Sequence, residues 1–275
     1  MRGTARRAQA QSFDRVARDY DRLAELDGNG LIGPRVASLL PARDRAEHRR
    51  ALDLGCGAGR HTVLLAQRFA QVDAVDLSGP MIEVARARRP RPNITYRQAD
   101  LLDVAGVGQY AFVLSALTLH HVTDLHAALS HIKTLLAPGG RLVVIDMYSV
   151  DAASASERLH RAVERAVPLR LRLHGLFLLK LGMNIVRRGP AVAWEIYRLS
   201  TRREWLDHRV TDRFFSRREL ERSCQALFPG HRLEVLGGPR GVVLVWDAKR
   251  SAAVSECDSG AAIAAPNSHP LGEHG

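Results

Sequence analysis

The chain has 275 residues, of which 46% are hydrophobic and 25% charged, and it carries a formal net charge of +11. This length and composition exclude a wholly disordered protein and favour one large domain with an insertion. Its three cysteines, Cys56, Cys224 and Cys257, are odd in number and far apart, which excludes a disulfide framework or a zinc finger. Because we find neither a signal peptide nor a run of roughly 18 apolar residues, we expect a cytoplasmic protein without a transmembrane segment.

The basic excess is uneven along the chain. Residues 1–50 carry 11 basic and 7 acidic groups and residues 151–213 carry 13 and 7, whereas residues 51–150 carry 9 and 8. Such a balance can indicate nucleic acid or an anionic membrane as a partner. However, only 3 of the 40 basic residues are lysine, and the arginines are interleaved with acidic residues as on ordinary solvated helices. We therefore do not expect nucleic acid as the partner.

The N-terminal part predicts a short tail followed by helices. Residues 1–11 are polar and basic and are expected to form a disordered tail. Residues 12–50 are expected to hold helices over 12–26 and 31–40, because apolar residues recur there at helical spacing.

The next stretch, residues 51–60, joins a short apolar strand to three alternate glycines, Gly55, Gly57 and Gly59, and a helix is expected over 61–69. Glycine allows positive φ and close approach of a ligand to the main chain, so this turn is typical of a nucleotide or cofactor seat. A dinucleotide site would need its third glycine at Arg60, and an acidic residue, Asp53, lies just before the turn.

With this spacing the stretch resembles motif I of the S-adenosylmethionine-dependent methyltransferases of the Rossmann-like class. Later segments agree in order: a second strand ends at Asp76, and a third strand has Asp100 at its end. Residues 113–122 match the fourth strand and its loop, and residues 135–146 match a helix end, a turn and the fifth strand. The resemblance, which is strongest to small-molecule enzymes of quinone biosynthesis and natural-product tailoring, implies an α/β fold. We expect a seven-stranded, mostly parallel sheet with helices on both faces, whose cofactor-binding core spans 51–150.

The resemblance also implies the cofactor, S-adenosylmethionine, and the residues that contact it. Asp76 is expected on the ribose and Asp100 on the adenine amino group, with Met81 and Leu101 against the ring and Tyr20 folded over the cofactor. The full predicted set is Tyr20, Asp53, Gly55, Cys56, Gly57, Gly59, Asp76, Leu77, Met81, Asp100, Leu101 and Ser115.

Residues 151–213 are longer than a simple crossover, and we expect helices over 154–167, 169–186 and 191–208. Insertions at this place in the resembling family form a lid over the acceptor, and the Leu-rich stretch with Trp194 and Tyr197 predicts an apolar pocket. A homodimer interface is the alternative, since an apolar helix must bury its face. Residues 214–250 predict a helix that opens with a capping box at Ser216 and two strands that complete the sheet, and 251–275 a disordered tail.

The chemistry expected from the resemblance is an in-line displacement at the carbon of the sulfonium methyl group. His120 and His121, just after the fourth strand, are the candidate general bases, because histidine titrates near neutral pH. With Asp124 and His126 they could be read as metal ligands, but the family norm is metal-free and we expect no metal. The predicted acceptor is a mostly apolar, aromatic small molecule methylated on oxygen, nitrogen or carbon. The alternatives are an RNA methyltransferase and a cofactor-binding protein that has lost catalysis.

Overall fold

The structure, a computed structural model, describes residues 2–26, 30–42, 49–149, 169–210, 214–237 and 240–248. Its strands are β1 Arg50–Leu54, β2 Gln71–Asp76, β3 Ile94–Gln98, β4 Tyr110–Ala116, β5 Leu136–Met147, β6 Arg232–Val235 and β7 Gly241–Asp247. The helices are α1 Arg2–Leu26, α2 Ile32–Leu39, α3 Thr62–Ala66, α4 Gly79–Arg88, α5 Leu125–Leu135, α6 Leu169–Arg188, α7 Pro190–Ser200, α8 Arg203–Val210 and α9 Arg217–Leu227.

The seven strands form one sheet in the order β3-β2-β1-β4-β5-β7-β6. Strands β1 to β5 pair in parallel, whereas β7 is antiparallel to both of its neighbours. This confirms the predicted seven-stranded, mostly parallel sheet. The strand order reverses between β1 and β4, and ligands of open α/β sheets bind at the carboxyl ends of strands beside such a switch point.

Alternating side chains of the central strands pack into two apolar cores, one on each face of the sheet. Leu52 and Leu54 of β1 pack on the face that α5 and α9 cover, whereas Ala51 packs on the face covered by α2 and α3. Because both faces are buried, the central strands β4 and β5 carry continuous apolar runs over 111–114 and 142–145, as such strands usually do. The cores fix the sheet and hold the strand ends that carry the candidate site.

Several element boundaries differ from the prediction. Helix α1 already includes Arg2, and residues 2–11, expected to be a disordered tail, continue the helix because they are rich in alanine, arginine and glutamine. Helix α3 is short, at Thr62–Ala66. The single helix expected over 191–208 is divided, and the Thr201 hydroxyl at the break donates back to the carbonyl of Tyr197. The predicted helix 154–167 and the tail 251–275 lie outside the described residues.

The described part of the insertion docks on the N-terminal helix. Helix α6 packs on α7 and α8, and both of these pack on α1. Two ion pairs tie the layers together, Arg202 with Asp19 at 2.6 Å and Arg22 with Glu195 at 2.8 Å. Helix α1 in turn packs on α4, so the insertion is joined to the cofactor half through α1.

Candidate active site

The glycine turn after β1 combines close packing with an open cradle. Gly55 has a φ of +69°, and a Cβ there would overlap the Thr118 side chain at 2.1 Å, so glycine is needed for the turn to touch the loop after β4. Gly57, with a φ of +51°, faces space in which a Cβ would meet no atom within 4 Å. The turn is therefore closed at its base and open at Gly57, where a ligand can approach the backbone.

Asp76, at the end of β2, borders this cradle. Its carboxylate accepts the N–H of Gly57 at 2.8 Å and the N–H of Ser78 at 2.9 Å, which ties the glycine turn to the start of α4. Burial raises the pKa of Asp76, while these two N–H bonds oppose the shift. Each carboxylate oxygen can accept a further bond, so Asp76 retains the capacity to bind a pair of hydroxyl groups.

Asp53 and Cys56 lie deeper than the cradle. The hydroxyl of Thr62 donates to Asp53 at 2.6 Å, so this carboxylate holds the start of α3. Burial raises the pKa of Asp53 to about 7, although the bond from Thr62 acts in the opposite direction. Burial also raises the pKa of the Cys56 thiol well above its usual value. Both residues support the turn from within, and their contact with the cofactor stays a prediction.

The remaining predicted cofactor residues lie at neighbouring strand ends. Asp100 follows β3 and accepts the N–H of Leu102 at 2.9 Å. Met81 is buried against Ala17 and Ala58, with Tyr20 beside it, so α1 and α4 meet over the glycine turn. Leu77 and Leu101 are half-buried, whereas Ser115 is fully buried in β4 with no hydrogen-bond partner for its Oγ.

A histidine–aspartate pair forms beside the glycine turn. His120 Nδ1 lies 2.6 Å from Asp146 Oδ1, and both side chains are buried. Asp146 Oδ2 also accepts the backbone N–H groups of Thr118, Leu119 and His120, at 3.2, 2.7 and 3.3 Å. Asp146 Oδ1 accepts its neighbour's N–H as well, that of Met147 at 2.7 Å. One carboxylate thus fixes both the loop after β4 and the ring of His120.

The backbone of this loop is strained where it leaves β4. Leu117 has a φ of +56°, the positive value that side chains other than glycine rarely adopt. The turn directs the next N–H groups to Asp146, and the Thr118 hydroxyl reaches the carbonyls of Leu54 and Gly55 at 3.3 and 3.4 Å. Such strain persists only where the surroundings over-determine it, and here it joins the cofactor turn to the loop with the two histidines.

An aromatic wall faces the two histidines. The His121 ring lies 5.0 Å from Phe13 of α1 and 3.9 Å from the ring of His120. His208 of α8 packs on Phe13 at 4.4 Å, and Trp205 of α8 packs on Tyr20 at 5.7 Å. Phe214 also stacks on His120, with ring centres 5.3 Å apart, and the aromatic wall is defined here as Phe13, Tyr20, Trp205, His208 and Phe214.

The sequence prediction named the two histidines and the glycine turn but not Asp146, Trp205 or His208, which the structure brings into the same cluster of contacts. Asp146 is the next-to-last residue of the buried strand β5, much as Asp76 ends β2, and an acidic residue at the end of an apolar strand was the available signal. Trp194, which was expected to line the acceptor pocket, is 58% exposed and stacks on Tyr197, and the pocket expected at these two residues stays a prediction. The spacing of apolar residues along the sequence does not by itself show which of two adjoining helices faces the core.

The residues present fit S-adenosylmethionine. The open cradle at Gly57 would accept the cofactor, and Asp76 has lone pairs for the ribose hydroxyls. The half-buried Leu77 and Leu101 offer apolar contact. Among the residues that the structure describes, no group of three His, Cys, Asp or Glu side chains could hold a metal ion.

The fold and this site define a class: the chain carries an S-adenosylmethionine-dependent methyltransferase domain of the Rossmann-like type. Residues 52–144 match the family described as "Methyltransferase domain". A methyltransferase structure from Thermotoga maritima, with a TM-score of 0.55 and 19% identity, covers 88% of this chain and the whole of its own, and it shares the fold.

Two curated relatives show similarity in sequence. A malonyl-[acyl-carrier protein] O-methyltransferase from Bacillus cytotoxicus is 32% identical over 157 residues, which cover 56% of this chain and 53% of that protein. A trans-aconitate 2-methyltransferase from Methylobacterium radiotolerans is 37% identical over 135 residues, which cover 48% and 50%. The chain therefore spans about half the length of the curated relatives it matches.

Proposed function

We propose that this protein transfers the methyl group of S-adenosylmethionine to a mostly apolar, aromatic small molecule, with His120 as general base. The observation that carries the proposal is the His120–Asp146 pair, 2.6 Å between Nδ1 and Oδ1, two residues from the contact between Thr118 and the glycine turn. A base at this place lies beside the cofactor cradle and under the aromatic wall.

The chain's own residues explain how such a base would act. When bound, S-adenosylmethionine would supply an electrophilic methyl carbon, which the acceptor attacks in line as the carbon–sulfur bond breaks and S-adenosylhomocysteine leaves. The Nδ1–H group of His120 donates a hydrogen bond to Asp146. Nε2 therefore keeps its lone pair and can take a proton from an acceptor hydroxyl or acidic carbon. Asp146 also stabilises the imidazolium that forms. Positioning of both reactants supplies about 7–11 kcal/mol of the barrier in such reactions, and a base adds roughly 10²–10⁴-fold.

The aromatic wall supports the acceptor class. Small-molecule sites are lined mainly by apolar and aromatic side chains with a few polar groups. Here Phe13 packs on His121 and Phe214 on His120, while Trp205 extends the aromatic surface by packing on both Tyr20 and His208. One relative is named for trans-aconitate and another for malonyl-[acyl-carrier protein], so these two relatives do not share one acceptor.

The test offers the full chain S-adenosylmethionine with a labelled methyl group and three acceptor pools: apolar phenols and quinols, small carboxylic acids, and RNA. We expect label in the phenol and quinol pool, and at least about 10²-fold less with His120→Asn. The matched control is His126→Asn, since His126 is exposed on α5. Label only in RNA would favour the RNA alternative. Cofactor binding without transfer to any pool would favour the inactive alternative.

A further inference from the structure

Helix α6 presents an unusually apolar face to solvent. In the described part of the chain, seven of the eleven exposed large apolar side chains lie on this one helix: Leu171, Leu176, Leu178, Leu179, Met183, Ile185 and Val186. At 3.6 residues per turn they spread over roughly half of the circumference, and the half-buried residues His174, Phe177, Leu181 and Asn184 lie on the opposite side. A Cβ added at Gly175 or Gly182 on the same face would meet open space. A single exposed leucine is ordinary, but a contiguous face of this size marks an interaction site.

The charge of α6 indicates what that site binds. Residues 169–188 contain five cationic residues, Arg170, Arg172, Lys180, Arg187 and Arg188, and no acidic residue. A helix that combines an apolar face with basic residues and lacks acidic ones is typical of helices that lie in the interface of an anionic membrane. The helix is about 30 Å long at 1.5 Å per residue, which gives it a large contact area.

We propose that α6 docks this protein on the surface of an anionic lipid bilayer, lying in the plane of the headgroups. Its apolar side chains would enter the boundary between headgroups and acyl chains, and Lys180 and Arg187, both exposed, would pair with anionic headgroups. The helix does not cross the bilayer: among the described residues, none of the helices is long and apolar enough to do so.

The position of α6 in the fold agrees with this role. It is the outer layer of the insertion, packed on α7 and α8, while these two helices pack on α1. On the adjoining α7, Trp194 is 58% exposed, and exposed tryptophans are enriched at the level of lipid headgroups. A second copy of the chain is a poorer occupant, because pairing two α6 faces would bring together two helices of five positive charges each.

The first arm of the test measures co-sedimentation of the full chain with vesicles made of equal parts phosphatidylglycerol and phosphatidylcholine, and with vesicles of phosphatidylcholine alone. Val186→Glu and Val107→Glu form a matched pair, since the two valines are 87% and 77% exposed and only Val186 lies on α6. We expect preference for the anionic vesicles and binding weakened on the order of tenfold or more by Val186→Glu. Val107→Glu should bind as wild type does.

The second arm tests charge. Arg187→Gln should weaken binding to the anionic vesicles about fivefold, whereas Arg68→Gln, an exposed arginine after α3, should leave it unchanged. Equal binding to both kinds of vesicle, or no binding to either, would overturn the proposal. Self-association in solution that Val186→Glu abolishes, without vesicle binding, would also overturn it and would make this face an interface between copies. None of these readouts requires methyl transfer.

Discussion

Replacing Asp146 with asparagine tests the structural basis of the His120 proposal. The Asp146 carboxylate accepts four backbone N–H groups and the Nδ1 proton of His120. Asparagine keeps one oxygen, which can retain the three bonds now made to Oδ2. Its NH₂ group would then face the Met147 N–H, so that bond is lost, and it would donate to His120 Nδ1.

Two effects of different size follow from this substitution. Loss of one hydrogen bond to a buried charge should lower the free energy of unfolding by about 1.5–3 kcal/mol. Donation to Nδ1 should shift the proton of His120 to Nε2, which removes the base and should lower kcat by about 10²-fold or more. Urea denaturation measures the first effect, and ¹⁵N NMR of the histidine ring together with steady-state kinetics measures the second.

The matched control is Asp124→Asn. Asp124 caps α5 by accepting the N–H of Ala127 at 2.9 Å, and asparagine is an equally good cap, so stability and tautomer should stay close to wild type. If Asp146→Asn kept the Nδ1–H form of His120 and an unchanged kcat, the account of this pair would be refuted.

Three further predictions concern the cofactor seat and the wall. Asp76→Ala should weaken the binding of S-adenosylhomocysteine about 10- to 100-fold in calorimetry, because hydrogen bonds to a charged group contribute about 1.5–3 kcal/mol each. An unchanged affinity would show that Asp76 is not part of the site. The folded-state pKa of Asp53, about 7, lies above its ordinary value of 3.8, so its protonated form stabilises the fold. The stability that protonated Asp53 contributes should be present below pH 4 and lost as the pH rises through 7. The free energy of unfolding of Asp53→Asn, measured by urea titration, should therefore rise relative to that of wild type over this pH range. A difference between the two proteins that does not change with pH would contradict this. Trp205→Ala, which removes the ring beside Tyr20, should raise the acceptor KM while cofactor affinity stays within a few-fold, and the reverse pattern would place the acceptor elsewhere.

The sheet and the cofactor turn could be predicted because their signals are local. Gly55 and Gly57 follow an apolar strand directly, and the acid that closes the turn, Asp76, ends the next strand along the chain. Asp146 was not predictable in the same way, because its bond to His120 joins residues 26 apart and depends on β5 lying beside β4. The choice of Trp205 rather than Trp194 for the wall depends on how α7 and α8 pack on α1, which no single segment encodes.

The measurement that tests the central claim most directly is the affinity for S-adenosylhomocysteine of Gly57→Ala and Gly230→Ala. Both glycines have positive φ, +51° and +74°, and at both an added Cβ would meet no protein atom within 4 Å. The two variants should therefore lose similar stability, about 1–2 kcal/mol. Only Gly57 faces the proposed cofactor cradle, because Gly230 lies in the turn between α9 and β6. We predict that calorimetry will show affinity at least about tenfold weaker for Gly57→Ala and unchanged for Gly230→Ala, in line with the close approach of a ligand to glycine backbone. Equal affinity in the two variants would contradict the assignment of this turn as the cofactor site.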